Sequence, residues 1–222
     1  MSRIGYIIVL FLLIIFGMPL TAQLSNQGRL YYFAQTPIDG LGKVSVGAGW
    51  HTQPNDAWNR IEIRSTYFHS VNSWFRVALG QRSNIAIEEG SLLNYELRPF
   101  QSILLNNHIG PTAALTHRLM FEQRIFFIPD LENTMNTRLR YRLELKKHMH
   151  TDNKLYLRPM SELYYGSNDA TKELMQWKTT LATGHSLNHN ITIEYRYEYV
   201  MLRHLNALNH FHGFRVQLVQ YF

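Results

Sequence analysis

Along most of the chain, apolar and polar residues alternate one for one. Between residues 137 and 146, Leu139, Tyr141, Leu143 and Leu145 fall on one face, and Arg138, Arg140, Arg142 and Glu144 on the other. A helix would spread those four charges around its axis; a strand sets them in one row. The pattern returns elsewhere. Ile61, Ile63 and Tyr67 oppose Arg60, Glu62 and Arg64, while Val77 and Leu79 oppose Arg76. Leu119, Phe121 and Ile125 oppose Arg118, Glu122 and Arg124. Ile193, Tyr195 and Tyr197 oppose Glu194, Arg196 and Glu198, and Phe214, Val216 and Leu218 oppose Arg215 and Gln217. Glu96 and Arg98, and later Arg158 and Glu162, continue the charged face in two further stretches.

Read this way, the sequence predicts eleven strand segments: 29–35, 43–51, 57–69, 73–83, 92–104, 112–127, 135–146, 153–165, 172–185, 189–203 and 211–222. Turn formers such as Asp39-Gly40, Pro54-Asn55-Asp56 and Gly166-Ser167-Asn168-Asp169 separate them. The repeat is one strand plus one turn, which suits an antiparallel meander.

Alternation alone fits a soluble sandwich as well as a membrane barrel. The segments exceed the roughly five or six residues of ordinary strands and reach the roughly 9–11 that cross a bilayer at a tilt. The polar face carries arginines and glutamates able to neutralise one another across a lumen. Trp50, Trp58, Trp74, Tyr164, Tyr165, Tyr195, Tyr197 and Tyr199 fall toward strand ends, as interface girdles do. The expected fold is therefore all-β, an antiparallel up-and-down transmembrane β-barrel of ten to twelve strands. Bacterial single-chain barrels have even strand numbers. On that rule either segment 29–35 does not span, or a strand is missed near Ile85 and Ile87. A barrel of this size, with long charged side chains turned inward, has a narrow or filled lumen.

The N-terminus reads as an export signal. Arg3 precedes an apolar run from Ile4 to Phe16, and Pro19-Leu20-Thr21-Ala22 offers a small residue for cleavage. Residues 1–22 are thus expected to be a cleaved leader and 23–222 one barrel domain in the bacterial outer membrane, with outer-membrane lipid as its surroundings. Among 222 residues there is no cysteine, which excludes a disulfide framework, a thiolate metal site and a cysteine nucleophile. A charged fraction of 17%, with 13 Tyr and 12 Phe, excludes disorder.

The last strand ends in Phe222, on its apolar face. A terminal aromatic after alternating hydrophobics resembles the signal read by the bacterial barrel assembly machinery, which makes Phe222 the candidate assembly signal. Further resemblance lies in the middle of the chain. His117-Arg118-Leu119-Met120-Phe121-Glu122-Gln123-Arg124, followed by Arg138-Leu139-Arg140-Tyr141-Arg142-Leu143, resembles the core pattern of an uncharacterised Bacteroidetes-type outer-membrane family, domain of unknown function 2490. Glu96-Leu97-Arg98 with Gln101, and Glu162-Leu163-Tyr164, are similar to further elements in the same order. Met120 departs from a position where a polar residue is usual. The resemblance implies an outer-membrane barrel and no reaction.

Candidate chemistry rests on the charged ladder: Arg60, Glu62, Arg64, Arg76, Glu96, Arg98, Arg118, Glu122, Arg124, Arg138, Arg140, Arg142, Glu144, Arg158, Glu162, Glu194, Arg196, Glu198 and Arg215. It is either a structural plug, since buried charges must be paired, or a track for anions. The plug is the expected reading, and the excess of arginine over glutamate at 138–142 keeps the track open. Of the 11 histidines, His148 and His150 fall together, as do His204, His210 and His212, without the partners of a firm metal site. No metal or cofactor is expected. An enzyme acting on lipid A or phospholipid needs a nucleophile beside a base; His117 with Ser102, or His185 with Ser186, are the pairs that can be named. A soluble periplasmic lipocalin-like carrier requires the apolar face to turn inward. A net charge of +6 does not point to nucleic acid, because the arginines lie on alternating strand positions and not on one exposed patch.

Overall fold

The computed structural model describes residues 25–222, apart from 39, 41, 54–57, 150–153, 169–170 and 205–206. The leader expected over residues 1–22 lies outside the described residues, as do the turn positions Asp39, Pro54, Asn55, Asp56 and Asp169. Eleven strands follow in chain order: β1 (Ser25–Ile38), β2 (Gly42–Gln53), β3 (Trp58–Ser70), β4 (Phe75–Glu88), β5 (Ser91–Ile109), β6 (Ala113–Phe127), β7 (Thr134–His148), β8 (Leu155–Asn168), β9 (Thr171–Ser186), β10 (Ile191–His204) and β11 (Ala207–Tyr221). Each coincides with one segment of the alternating pattern. Ile85 and Ile87 belong to β4 and not to a further strand.

Each strand pairs antiparallel with the next, and the sheet closes on itself where β1 meets β11. That closing pair is parallel, with Leu30 opposite Val216 and Tyr32 opposite Leu218. The even count expected of bacterial barrels is therefore corrected: the barrel has eleven strands, and segment 29–35 is a full wall strand. An odd number can close only with one parallel pair, and β1 supplies it. One rim, called upper here, holds the start of β1 and the β10–β11 connection. The lower rim holds the end of β11. The two-residue connection between β4 and β5 is made by Glu89 and Gly90, both at positive φ. That is the hairpin geometry whose twist matches the flanking strands, and glycine reaches it without strain.

The alternation resolves into outside and inside. Leu30, Ile61, Ile63, Leu79, Leu119, Leu139, Leu143, Leu163 and Val216 are exposed on the outer wall. Glu62, Glu96, Glu122, Glu162, Glu194 and Glu198 are buried on the inner wall. The lipocalin-like alternative fails here, because the apolar face is the outer one. Period two forces this sorting: once one residue of a strand faces the lumen, its alternate neighbours follow.

Aromatic residues are divided between the faces. Trp50, Trp74, Tyr165, Trp177 and Tyr195 are exposed outside. Two of the expected girdle residues are corrected: Tyr164 is buried inside, and Trp58 lines the inner cavity. Inside, rings lie over glycines that leave them room. Gly49 sits beneath Tyr31 and Gly184 beneath Tyr156, each too close to admit a Cβ. Tyr31, Phe33 and Val219 form a small buried apolar cluster across the β1–β11 seam.

Candidate functional site

The inner wall is held by ion pairs that reach across strands. At its centre, Arg140 on β7 bonds Glu122 on β6 at 2.8 Å and Glu162 on β8 at 2.9 Å. Arg118 reaches the same Glu162 at 2.6 Å, Arg138 bonds Glu122, and Tyr164 Oη donates to Glu162 at 2.8 Å. Beside this core, Arg98 and Arg124 share Glu96. Arg158 and Arg196 share Glu194, which also accepts from Tyr156 Oη at 2.8 Å. Arg142 and Arg158 flank Glu144 at 3.3 and 3.4 Å. Near the seam, Arg29 bonds Glu198 at 2.5 Å, past Gly213 on the intervening strand. Lys178 approaches the same Glu198 at 3.4 Å, and Arg82 meets Glu62 at 3.4 Å. Every one of these glutamates therefore has a cation against it, as a group removed from water requires.

The converse does not hold. Among the described residues, Arg60, Arg64, Arg76 and Arg215 make no ion pair. Arg60 donates to His51 Nδ1 at 2.8 Å and lies over the Trp58 ring. Arg64 donates to Thr66 and covers Phe100. Arg76 donates to Asn106 at 3.2 Å. Arg215 donates to Gln217 at 2.5 Å and stacks 3.7 Å over Tyr31. Cation–π contact holds the planar guanidinium without neutralising it. The Nε atoms of Arg60 and Arg215 are buried with no hydrogen-bond partner. The lumen thus holds uncompensated positive charge.

Among the described residues, two cavities can be named within it. The upper has a volume of about 410 Å³ and is lined by residues including Trp58, Arg60, Arg82, Arg98, Arg138, Val200, Phe211 and Arg215. The lower, about 210 Å³, is lined by residues including Phe33, Phe68, Phe100, Leu104 and Met120. Arg64, Arg118 and Arg215 line both, so they form the constriction between them.

The structure turns every residue of the sequence-derived ladder toward the interior and brings most of them into several separate bonded clusters. Arg76 stands apart with Asn106 near the lower rim. Phe222 is exposed, with its backbone N–H donated to Gln35 at 2.9 Å. Sequence reasoning missed Arg29, Tyr31, His51, Arg82 and Lys178. Arg82 and Lys178 were legible, because each continues the inward parity of its strand. His51 and Tyr31 were hidden by an inner β1–β2 face made of aromatics and glycines, which blurs the alternation.

The residue pairs named for an enzyme do not assemble. Ser102 is buried inside, whereas His117 is on the outer wall, bonded to Tyr141 at 2.7 Å. His185 and Ser186 are adjacent on β9 and so point to opposite faces. His210 and His212 face outward and bond Tyr199 and Tyr197. His150 lies outside the described residues, and so does the side chain of His204. Among the described residues, no group of three His, Asp or Glu side chains is placed to hold a metal ion.

With the barrel and its inner charges in view, comparison with known proteins gives one assignment. The family described as "Protein of unknown function (DUF2490)" matches the chain over residues 26–209. The chain belongs to that family. No curated protein matches it. Among solved structures, it is similar in fold to the NanC porin, with a TM-score of 0.52 and 10% sequence identity, over 78% of this chain and 85% of the porin. This DUF2490 chain thus shares an architecture with a porin while its residues are its own.

Proposed function

We propose that this DUF2490 protein is an integral outer-membrane barrel whose lumen is a narrow path selecting small anions. The apolar outer wall meets outer-membrane lipid, residues 1–22 direct export and are removed, and Phe222 is offered to the assembly machinery. The observation that carries the reading is the constriction: Arg64 and Arg215 stand between the two cavities without a carboxylate partner. Fixed positive charge in a low-dielectric passage concentrates anions and repels cations. The fold shared with a porin supports a passage, and the narrow lumen speaks against general diffusion.

A closed structural barrel is the second reading, favoured by the dense bonding around Glu122 and Glu162. Planar-bilayer recording across a KCl gradient decides between them. A reversal potential of the sign for chloride permeation supports the anion path. A folded barrel that never conducts supports the plug.

A further inference from the structure

The upper cavity is chemically two-sided. Toward the upper rim its wall carries Trp58, Val200, Leu202 and Phe211, and Val200 pairs directly with Phe211 across β10 and β11. Deeper, on β3 and β11, stand Arg60 and Arg215, which lack ion pairs, whereas Arg29, Arg82, Arg98 and Arg118 of the same wall each have one. A hydrated inorganic anion would satisfy the arginines and gain nothing from the apolar rim. A neutral hydrocarbon would use the rim and leave the arginines unmet. The volume, about 410 Å³, falls within the roughly 300–1,000 Å³ of small-molecule sites; unlike most of those, the cavity is walled mainly by cationic side chains, with its apolar residues gathered in one patch.

We infer that the upper cavity binds an amphipathic organic anion, a carboxylate or sulfonate on a ring-sized apolar body. Its charged end points down to Arg60 and Arg215, and its body lies against Trp58 and Phe211. The inference rests on the proposed anion path and names the class of solute that the path would hold.

Trp58 provides the reporter. Trp50, Trp74 and Trp177 are exposed on the outside, so replacing those three by Phe leaves one tryptophan, inside the cavity. The refolded full barrel in detergent, its fold checked by circular dichroism, is titrated with 4-nitrobenzoate. Saturable quenching is expected, with nitrobenzene and acetate each about tenfold weaker as competitors, the scale of one charge-assisted contact. Arg60→Gln with Arg215→Gln, and separately Phe211→Ser, are each expected to weaken binding about tenfold. Acetate binding as well as 4-nitrobenzoate would show a site that reads charge alone. Nitrobenzene binding as well as nitrobenzoate would show one that reads apolar surface alone. Either result overturns the inference, as does absence of saturable quenching. If chloride selectivity persists in bilayers in those cases, the anion path survives; if it is absent too, both fall.

Discussion

The ring of Tyr156 lies against the bare backbone of Gly184, where an added Cβ would stand 2.0 Å from Tyr156 Cζ. The contact presses the ring flat on the wall and aims its hydroxyl at Glu194. A small residue on β9 is thus part of how an acid on β10 is satisfied.

Gly184→Ala is therefore expected to destabilise the folded barrel by about 1–3 kcal/mol, the usual cost of overpacking. Combined with Tyr156→Leu it should cost clearly less than the sum of the two single changes, because residues in contact couple. Equilibrium unfolding of the four proteins in a double-mutant cycle measures this; strict additivity would show that the ring does not depend on the glycine.

Two inward arginines should behave oppositely. Arg140→Ala removes the cation that Glu122 and Glu162 share, and since Arg138 and Arg118 still hold one glutamate each, the cost should be that of lost charge-assisted bonds, about 1.5–3 kcal/mol. Arg64→Ala orphans no carboxylate, so its stability cost should be about 1 kcal/mol, while chloride selectivity falls. Urea unfolding and bilayer recording on the same preparations compare the two.

On the outer wall, Leu143 is exposed on β7. Leu143→Arg is expected to cost about 2–4 kcal/mol if the residue lies at the bilayer midplane, read as a lower folded fraction in lipid vesicles. A change without effect there would reverse the assignment of the two faces.

The parallel seam can be tested by cross-linking, because the chain has no cysteine of its own. Leu30 faces Val216 in the β1–β11 register. Leu30→Cys with Val216→Cys should oxidise readily, giving a covalent ring that migrates faster on a non-reducing denaturing gel. Leu30→Cys with Gln220→Cys, displaced along the strand, should stay reduced, since bridged Cα atoms must lie within about 7 Å.

What the sequence makes legible follows from periodicity. Rows such as Arg138, Arg140 and Arg142 against Leu139, Tyr141 and Leu143 place strands and faces, because period two admits one sorting. Closure is another matter: whether β1 meets β11 parallel or antiparallel depends on which edges meet, and no local pattern records that. On sequence alone Trp58 and Tyr164 belong outside, because aromatic rings suit an interface, yet a ring packs equally well among guanidinium groups, and Arg138 and Arg140 both cover Tyr164. The unpaired state of Arg60, Arg64 and Arg215 was illegible for a similar reason. Partners two strands away, such as Arg29 and Glu198, are far apart in the chain.

The seam also sets the order of events as the barrel forms. Every other neighbouring pair of strands is a hairpin that can zip as soon as its two members exist. Gly28 and Phe214, partners in the seam, are separated by nearly the whole chain, and such remote contacts are the slow ones to make. Until they form, β1 and β11 each offer an unpaired edge of amides and carbonyls, the kind of edge that captures other strands. The clasp is therefore both the last step of assembly and the interval in which a helper, or a wrong partner, has something to hold.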